Sequence, residues 1–266
     1  MSIFLAVILF HNDEEIIEDQ INHMLYNKHD IIIFNHNSTD NTEELIKKKA
    51  NEHSEIKKIY NINKDIPFIN NGVFTYISKI LIHDYSQKYD WITFVESDEF
   101  LEGPNRDKNY YEYLLDVSKT SSTYIQFNNM LFWFTNKDDP SIKSVRKRIK
   151  HYAYMKNCGP RIYAWKAKYT NIRYYNHNKP TEDKKYPIHF NTCHYPFTSI
   201  QQMEKKLNSR AKLSNGVENS HYEKLHKRFN RKRTRNKYII DPKRLHYDDG
   251  NDLIKDNKMY WYDIYH

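Results

Sequence analysis

The first hundred residues alternate apolar runs with segments of helical period, and this limits the fold more than any other feature. Ile3–Phe10 and Ile31–Phe34 are apolar throughout, and Trp91–Val95 is broken only by Thr93. Runs without polar alternation fit strands buried on both faces, as in a parallel sheet. Between them Ile17, Ile21, Met24 and Leu25 recur at helical spacing, as do Leu45, Ile46 and Ala50, and then Val73, Phe74, Ile77, Ile80 and Leu81. With a shorter strand over Ile56–Ile62 the order is β-α-β-α-β-α-β. This predicts an α/β fold with a mostly parallel sheet flanked by helices.

Ligands of such sheets bind beyond the carboxyl ends of the strands. Three polar clusters occupy those ends: His11 to Glu15, Asn35 to Asp40, and Glu96 to Glu99. In the last, the apolar run from Trp91 stops in three acids within four positions: Glu96, Asp98 and Glu99. Carboxylates this close repel one another unless a cation sits among them. Taken alone, a strand followed by a solvated acidic turn accounts for the same pattern. The convergence of three clusters on one crevice favours a site.

Composition removes several function classes. The chain has 5 Gly in 266 residues, with no G-x-G-x-x-G and no Walker-type loop, so a glycine-rich phosphate cradle is nearly excluded. Its two cysteines, Cys158 and Cys193, make neither a disulfide framework nor a zinc knuckle and suit a reducing compartment. Ser2–Phe10 has no basic segment before it and runs into His11–Glu15, so it reads as a first strand and not as a signal peptide. No stretch is long enough to cross a bilayer. The expected location is therefore cytoplasmic. A net charge of +8 admits polyanionic partners: nucleic acid, an anionic membrane surface or a phosphorylated substrate.

Beyond Leu101 the pattern changes. Tyr110–Val117 suggests a short helix and Thr123–Phe134 an aromatic strand. Arg146–Tyr154 and Arg161–Tyr175 are strand-prone, and Asn176–Tyr186 reads as a loop. Asp40 with Glu43, and Thr198–Ser199 with Gln201 and Gln202, have the spacing of capping boxes. The second of these opens a helix through Met203, Leu207 and Ala211. Lys224–Lys237 is strongly basic, and Tyr260–Trp261–Tyr262 is an aromatic tail. One compact domain with a basic C-terminal helical extension is expected.

Four motifs in order, over residues 3 to 213, resemble the family 2-type glycosyltransferases of the GT-A fold, in the branch whose second motif ends in D-E-F-L. The first is Asn12–Asp13–Glu14–Glu15, with Asp19 and His23 at the spacing of that branch. The second is Asn35–His36–Asn37–Ser38–Thr39–Asp40–Asn41–Thr42, against D-N-x-S-T-D-x-T. The third is Glu96–Ser97–Asp98–Glu99–Phe100–Leu101, against the DXD-type D-x-D-E-F-L. The fourth is His194–Tyr195–Pro196–Phe197–Thr198–Ser199, against H-Y-P-x-R-S before a basic helix. Three positions depart from the family: Asn35 where its Asp holds the base, Glu96 for the first DXD acid, and Thr198 for an Arg that contacts the diphosphate.

The resemblance implies a GT-A, Rossmann-like domain over 1–215, with 1–102 as nucleotide-binding half and 103–215 as acceptor half, followed by the extension over 216–266. It implies a hexosyltransferase-type reaction from a nucleoside diphosphate sugar to a glycan, lipid-linked or protein acceptor. His11, Asn12, Glu14, Asn35, Asp40 and Glu96 would hold the donor, with Lys205, Lys206 and Arg210 toward the diphosphate. Mn²⁺ or Mg²⁺ suits carboxylate and phosphate oxygens, and Asp98, Glu96 and His194 are its candidate ligands. His189 competes with His194 for that role, and Glu99 either joins the site or faces inward to fix the turn. An inverting transfer needs a carboxylate base; Glu182 and Asp183 are the candidates, with Asp138 and Asp139 as alternatives. Lys224–Lys237 would meet an anionic membrane surface or remain a solvated helix. The competing readings are a catalytically weak or inactive GT-A-like protein that binds glycan or nucleotide, suggested by the three departures, and a nucleic-acid-binding protein, suggested by the charge.

Overall fold

The structure, a computed structural model, describes residues 2–62, 72–155, 160–171, 180–213 and 240–255, with the backbone alone for 209–213. In chain order the elements are β1 (Phe4–Phe10), α1 (Ile17–Tyr26), β2 (Asp30–His36), α2 (Thr42–Glu52), β3 (Ile56–Ile62), α3 (Gly72–Ile80), β4 (Trp91–Glu96), β5 (Glu99–Glu102), α4 (Tyr110–Ser118), β6 (Tyr124–Phe132), α5 (Val145–Arg148), β7 (His151–Tyr154), β8 (Arg161–Lys166), β9 (Phe190–His194), α6 (Ile200–Leu213) and β10 (His246–Tyr247). They form two compact units. The first is Met1–Asn129 with Cys158–Cys193, and the second is Met130–Asn157 with His194–His266.

In the first unit β3, β2, β1 and β4 are parallel neighbours in that order. This is the expected α/β sheet. Every residue of β1 is buried, and the pleat divides its side chains between two cores. Phe4, Ala6, Ile8 and Phe10 pack with Ile17, Ile21 and Met24 of α1, Ile46 of α2, and Tyr110, Leu114 and Val117 of α4. Leu5, Val7 and Leu9 face the other way, onto Val73 and Ile77 of α3. Burying each large aliphatic side chain contributes about 1.5–3 kcal/mol, so a polar residue in this strand would weaken one whole layer. Beside β4 the direction reverses. β8 is antiparallel to β4 and to β6, which therefore runs the same way as β4.

The register fixes where the polar clusters lie. Phe10 is opposite Asn35, and Leu9 is opposite Glu96. All three clusters thus sit at the same end of the sheet.

In the second unit β7 pairs antiparallel with β6 on one side and with β10 on the other. Its core is aromatic. Phe132 stacks on Tyr152 and Tyr195 at 5.1 and 4.6 Å, and Trp133 meets the edge of Phe197 at 5.5 Å.

Several local expectations are corrected. Arg146–Tyr154 is not one strand: Ser144 Oγ accepts from Lys147 N at 3.3 Å and caps the short helix α5 before β7 begins. Within Arg161–Asn171, the described part of Arg161–Tyr175, the strand ends at Lys166 and a 3-10 turn follows over Ala167–Tyr169; residues 172–175 lie outside the described residues. The Asp40–Glu43 capping box does not form. Asp40 Oδ1 accepts instead from Thr42 N at 3.0 Å, and α2 starts without a side-chain cap. The box at α6 does form in essence, since Ser199 Oγ accepts from Gln202 N and Gln202 Oε1 from Thr198 N. Residues 240–255 contain a 3-10 turn over Pro242–Arg244 and β10. Cys158, Lys224–Lys237 and Tyr260–Tyr262 lie outside the described residues. Among the described residues no helix is long and apolar enough to cross a membrane.

Candidate functional site

The loops after β1 and β2 are joined by side-chain-to-backbone bonds. His11 Nδ1 donates to His36 O at 2.6 Å, and Asn12 N donates to Ser38 Oγ at 3.1 Å. Asn12 Oδ1 accepts from Thr39 N at 2.7 Å, and Asp40 Oδ2 accepts from Glu14 N at 3.3 Å. Glu14 Oε2 accepts from Asn41 Nδ2 at 2.9 Å. Both loops leave their strands through a left-handed residue, Asn12 at φ 56° and Asn37 at φ 50°. Asparagine tolerates this conformation better than other residues with a Cβ. Asn12, Glu14 and Asp40, expected to hold a donor, thus shape the crevice with their side chains. Asn35 is 2% exposed; its Nδ2 donates to Asn61 Oδ1 at 3.2 Å, and its Oδ1 has no hydrogen-bond partner among the described residues.

The third cluster is divided by a turn. β4 ends at Glu96, Ser97–Asp98 turn, and β5 starts at Glu99. Glu99 faces inward and is 2% exposed. Its Oε1 accepts from Tyr163 Oη at 2.6 Å and from Arg161 Nη1 at 3.3 Å, and its Oε2 accepts from Glu96 N at 3.2 Å. Burial, and then the Glu99 charge, push the Tyr163 hydroxyl well above its ordinary range. The fully buried Gln20 of α1 donates from Nε2 to Glu99 O at 2.9 Å and Glu96 O at 3.4 Å, which ties the turn to the helix. His23, one turn on, donates from Nε2 to Leu101 O at 2.9 Å and packs edge-on against Phe100. Glu99 is therefore balanced by Arg161 within the fold. Glu96, half-buried, and Asp98, 4% exposed, are the acids of the strand end.

Among the described residues no three His, Cys, Asp or Glu side chains are grouped as a metal site. An all-protein cage is not what the donor set provides. Two carboxylates at one strand end do fit a hard divalent ion that shares its coordination with substrate phosphates, which needs only one or two protein carboxylates.

The second unit carries the late motif. His194 closes β9 and is half-buried. Lys205 is exposed on α6, whereas Lys206 is 7% exposed and donates from Nζ to Pro196 O at 3.1 Å, its ammonium 5.9 Å from the Phe197 ring. Arg210 is on the same helix, and its side chain lies outside the described residues. Arg148 was not anticipated. Its Nη2 donates to Thr198 O at 3.4 Å, which brings a guanidinium to the position of the motif that lacks its arginine. Asp138 Oδ2 accepts from Thr135 N at 2.6 Å, and its Oδ1 lies 4.0 Å from His151 Nδ1. Burial pushes the Asp138 carboxyl above the ordinary aspartate range and the His151 imidazole below its own.

Glu182 and Asp183, expected as the base, lie elsewhere. Glu182 O accepts from Thr123 Oγ1 at 2.6 Å, and Asp183 Oδ1 from Tyr124 Oη at 2.8 Å. Tyr124 pairs with Trp165, and Trp165 with Ile92. Both acids therefore sit at the amino end of β4, opposite the end that carries Asp98. Nothing local in the sequence reveals this, because the loop is held by a strand some sixty residues earlier. His189 Nδ1 lies 3.4 Å from Asn128 Oδ1, in the first unit.

Neither a protein-family model nor a curated protein sequence matches the chain. Among solved structures, mannosyltransferase PcManGT from Pyrobaculum calidifontis, in complex with GDP-Man and Mn²⁺, aligns over 86% of this chain and 69% of its own at 10% identity and a TM-score of 0.41. Core-mannan synthase A of Aspergillus fumigatus, in a Mn/GDP form, aligns over 55% of this chain and 47% of its own at 14% identity and a TM-score of 0.27. Likenesses of this strength decide neither fold nor activity.

Proposed function

We propose that the chain is a metal-dependent glycosyltransferase that moves a sugar from a nucleoside diphosphate sugar to an acceptor hydroxyl. The observation that carries this reading is the junction of three strand ends: the stitched loops after β1 and β2 beside a β4 that ends in Glu96 and Asp98. The four motifs of the GT-A family 2 resemblance map onto the ends of β1, β2, β4 and β9. Asn35 contributes a buried carbonyl oxygen with no partner among the described residues, and a nucleobase N–H supplies the missing donor. Asp98 and Glu96 would hold Mn²⁺ or Mg²⁺ against the diphosphate, and His194 is not needed as a third ligand, since no three such side chains are grouped among the described residues. The ion would supply charge neutralisation for the departing diphosphate.

The remaining chemistry belongs to side chains. By the resemblance, Lys205, Lys206 and Arg210 would be the cations for the diphosphate, and Arg148, at the backbone of Thr198, would replace the arginine missing there. For an inverting transfer, Asp138 replaces Glu182 and Asp183 as the base. Burial raises its proton affinity, which suits it to take the acceptor hydroxyl proton. As that proton leaves, the acceptor oxygen bonds the anomeric carbon and the bond from that carbon to the phosphate oxygen breaks. The acceptor as glycan, lipid-linked molecule or protein, a cytoplasmic location, and membrane contact through 224–237 are parts of the same proposal.

Calorimetric titration with UDP, GDP and their sugars, with and without Mn²⁺, tests it. Nucleotide binding that disappears with EDTA and in Asp98→Ala is expected. Nucleotide binding without transfer across a broad acceptor panel would favour a non-catalytic binding protein. Salt-sensitive RNA or DNA binding with no nucleotide binding would overturn the proposal.

A further inference from the structure

The first unit has a second concave surface, at the amino end of the same sheet. A cavity of about 390 Å³ opens there, lined by Ser2, Gln87, Asp90, Ser118, Lys166 and Lys168 among others. Five residue steps of β4, roughly 17 Å at about 3.3 Å each, separate its wall at Trp91 from Glu96. A volume of this size suits a small ligand.

The charges around it are incompletely matched. Lys166 closes β8, and its Nζ gives one hydrogen bond, to Thr120 O at 3.0 Å. Neither Lys166 nor Lys168 has an ion-pair partner among the described residues. The nearby Glu182 is taken by Lys184 at 2.6 Å, and Asp90 Oδ2 accepts from Ile3 N at 2.8 Å. Burial, and then the neighbouring Lys168, lower the Lys166 pKa. Two ammonium groups beside each other are stabilised by an anion between them. Around them are acceptors and donors suited to hydroxyls: the second Asp90 oxygen, the Gln87 amide, and Ser2 and Ser118, whose hydroxyls meet at 3.1 Å.

We propose that this cavity binds a small phosphate monoester of a polyol or sugar, with the phosphate on Lys166 and Lys168 and the hydroxyls on Asp90, Gln87 and the serines. The site is independent of the transferase reading, because none of its residues belongs to the donor end of the sheet.

The test is titration of the full chain with glycerol 3-phosphate, by calorimetry or by chemical-shift changes, without metal or nucleotide. Saturable binding is expected, weakened about tenfold in Lys168→Gln and retained in Lys168→Arg. Lys168 is exposed, so the melting temperature should not move. Asp98→Ala should bind the probe as the wild type does, whatever it does to nucleotide. No saturable binding, or equal affinity in Lys168→Gln, would overturn the proposal. Equal affinity for inorganic phosphate would overturn the assignment to a monoester.

Discussion

The two ends of the parallel sheet in the first unit are built on opposite principles. At the carboxyl end, side chains bond to the backbone of the neighbouring loop, and the inward-facing acid, Glu99, has its own arginine. At the amino end a cavity is left open, and two lysines face it without an ion pair among the described residues, although Asp90 and Glu182 are near enough to attract Lys166. The first end is organised before any ligand arrives; the second is completed by one. Acidic residues occur at both ends, so acidity alone does not distinguish them. What distinguishes them is whether the fold itself satisfies the surrounding groups.

The largest expected effect separates the ends by activity. Asp98→Ala should lower kcat/KM about 10³-fold, the scale of losing a principal electrostatic stabiliser, while Glu182→Gln and Asp183→Asn leave it within about twofold. Steady-state assays with the donor identified by titration check both, and a large loss in either loop variant would erase the contrast. Next is Glu99→Ala, which removes the carboxylate that accepts from the partly buried Arg161 and from the Tyr163 hydroxyl. Destabilisation by about 3 kcal/mol is expected, read from the urea midpoint at unchanged m.

A comparable effect should come from pH. His29 is fully buried; its Nδ1 donates to Asn27 O at 2.8 Å, and its ring stacks on Tyr110. Burial lowers its pKa from 6.5 to about 4. The unfolded chain therefore takes up this proton before the folded one does. The His29 contribution is fully present above pH 6.5 and is lost as the pH falls toward 4, at a cost of about 3 kcal/mol. Unfolding curves across that range check it, with His29→Gln flattening the slope. The smallest effect is at the stitched loops. Asn12→Ala should cost about 2 kcal/mol, combining the bond from Thr39 N with the left-handed backbone, and Asn12→Gly should recover the backbone part.

The parallel block was legible because its signal is local. Each of β1, β2 and β4 declares itself by an apolar run, broken in β4 only by Thr93, and each helix between them by its period. The site was legible only in part. Asp98 stands at a recognisable strand end, but the turn at Ser97–Asp98 splits an apparently continuous strand, and the inward face of Glu99 depends on Arg161 and Tyr163, more than sixty residues away. The position of Glu182 and Asp183 was hidden for the same reason, since Thr123 and Tyr124, some sixty residues earlier, hold them at the amino end of β4. The capping residues of α2 failed at shorter range: Asp40 had a nearer partner in Thr42 N than in the box its spacing suggested.

The antiparallel β8 also sets an order of events during synthesis. It lies between β4 and β6, yet all of β4 and β6 is made before Arg161 leaves the ribosome. Until then the β4 edge is an unpaired row of amide and carbonyl groups next to the most apolar part of the chain, open to pairing with another nascent copy. Completion of this sheet therefore waits on a strand from beyond the midpoint of the chain, and a product cut short of Arg161 should aggregate even though every strand of the parallel block is present.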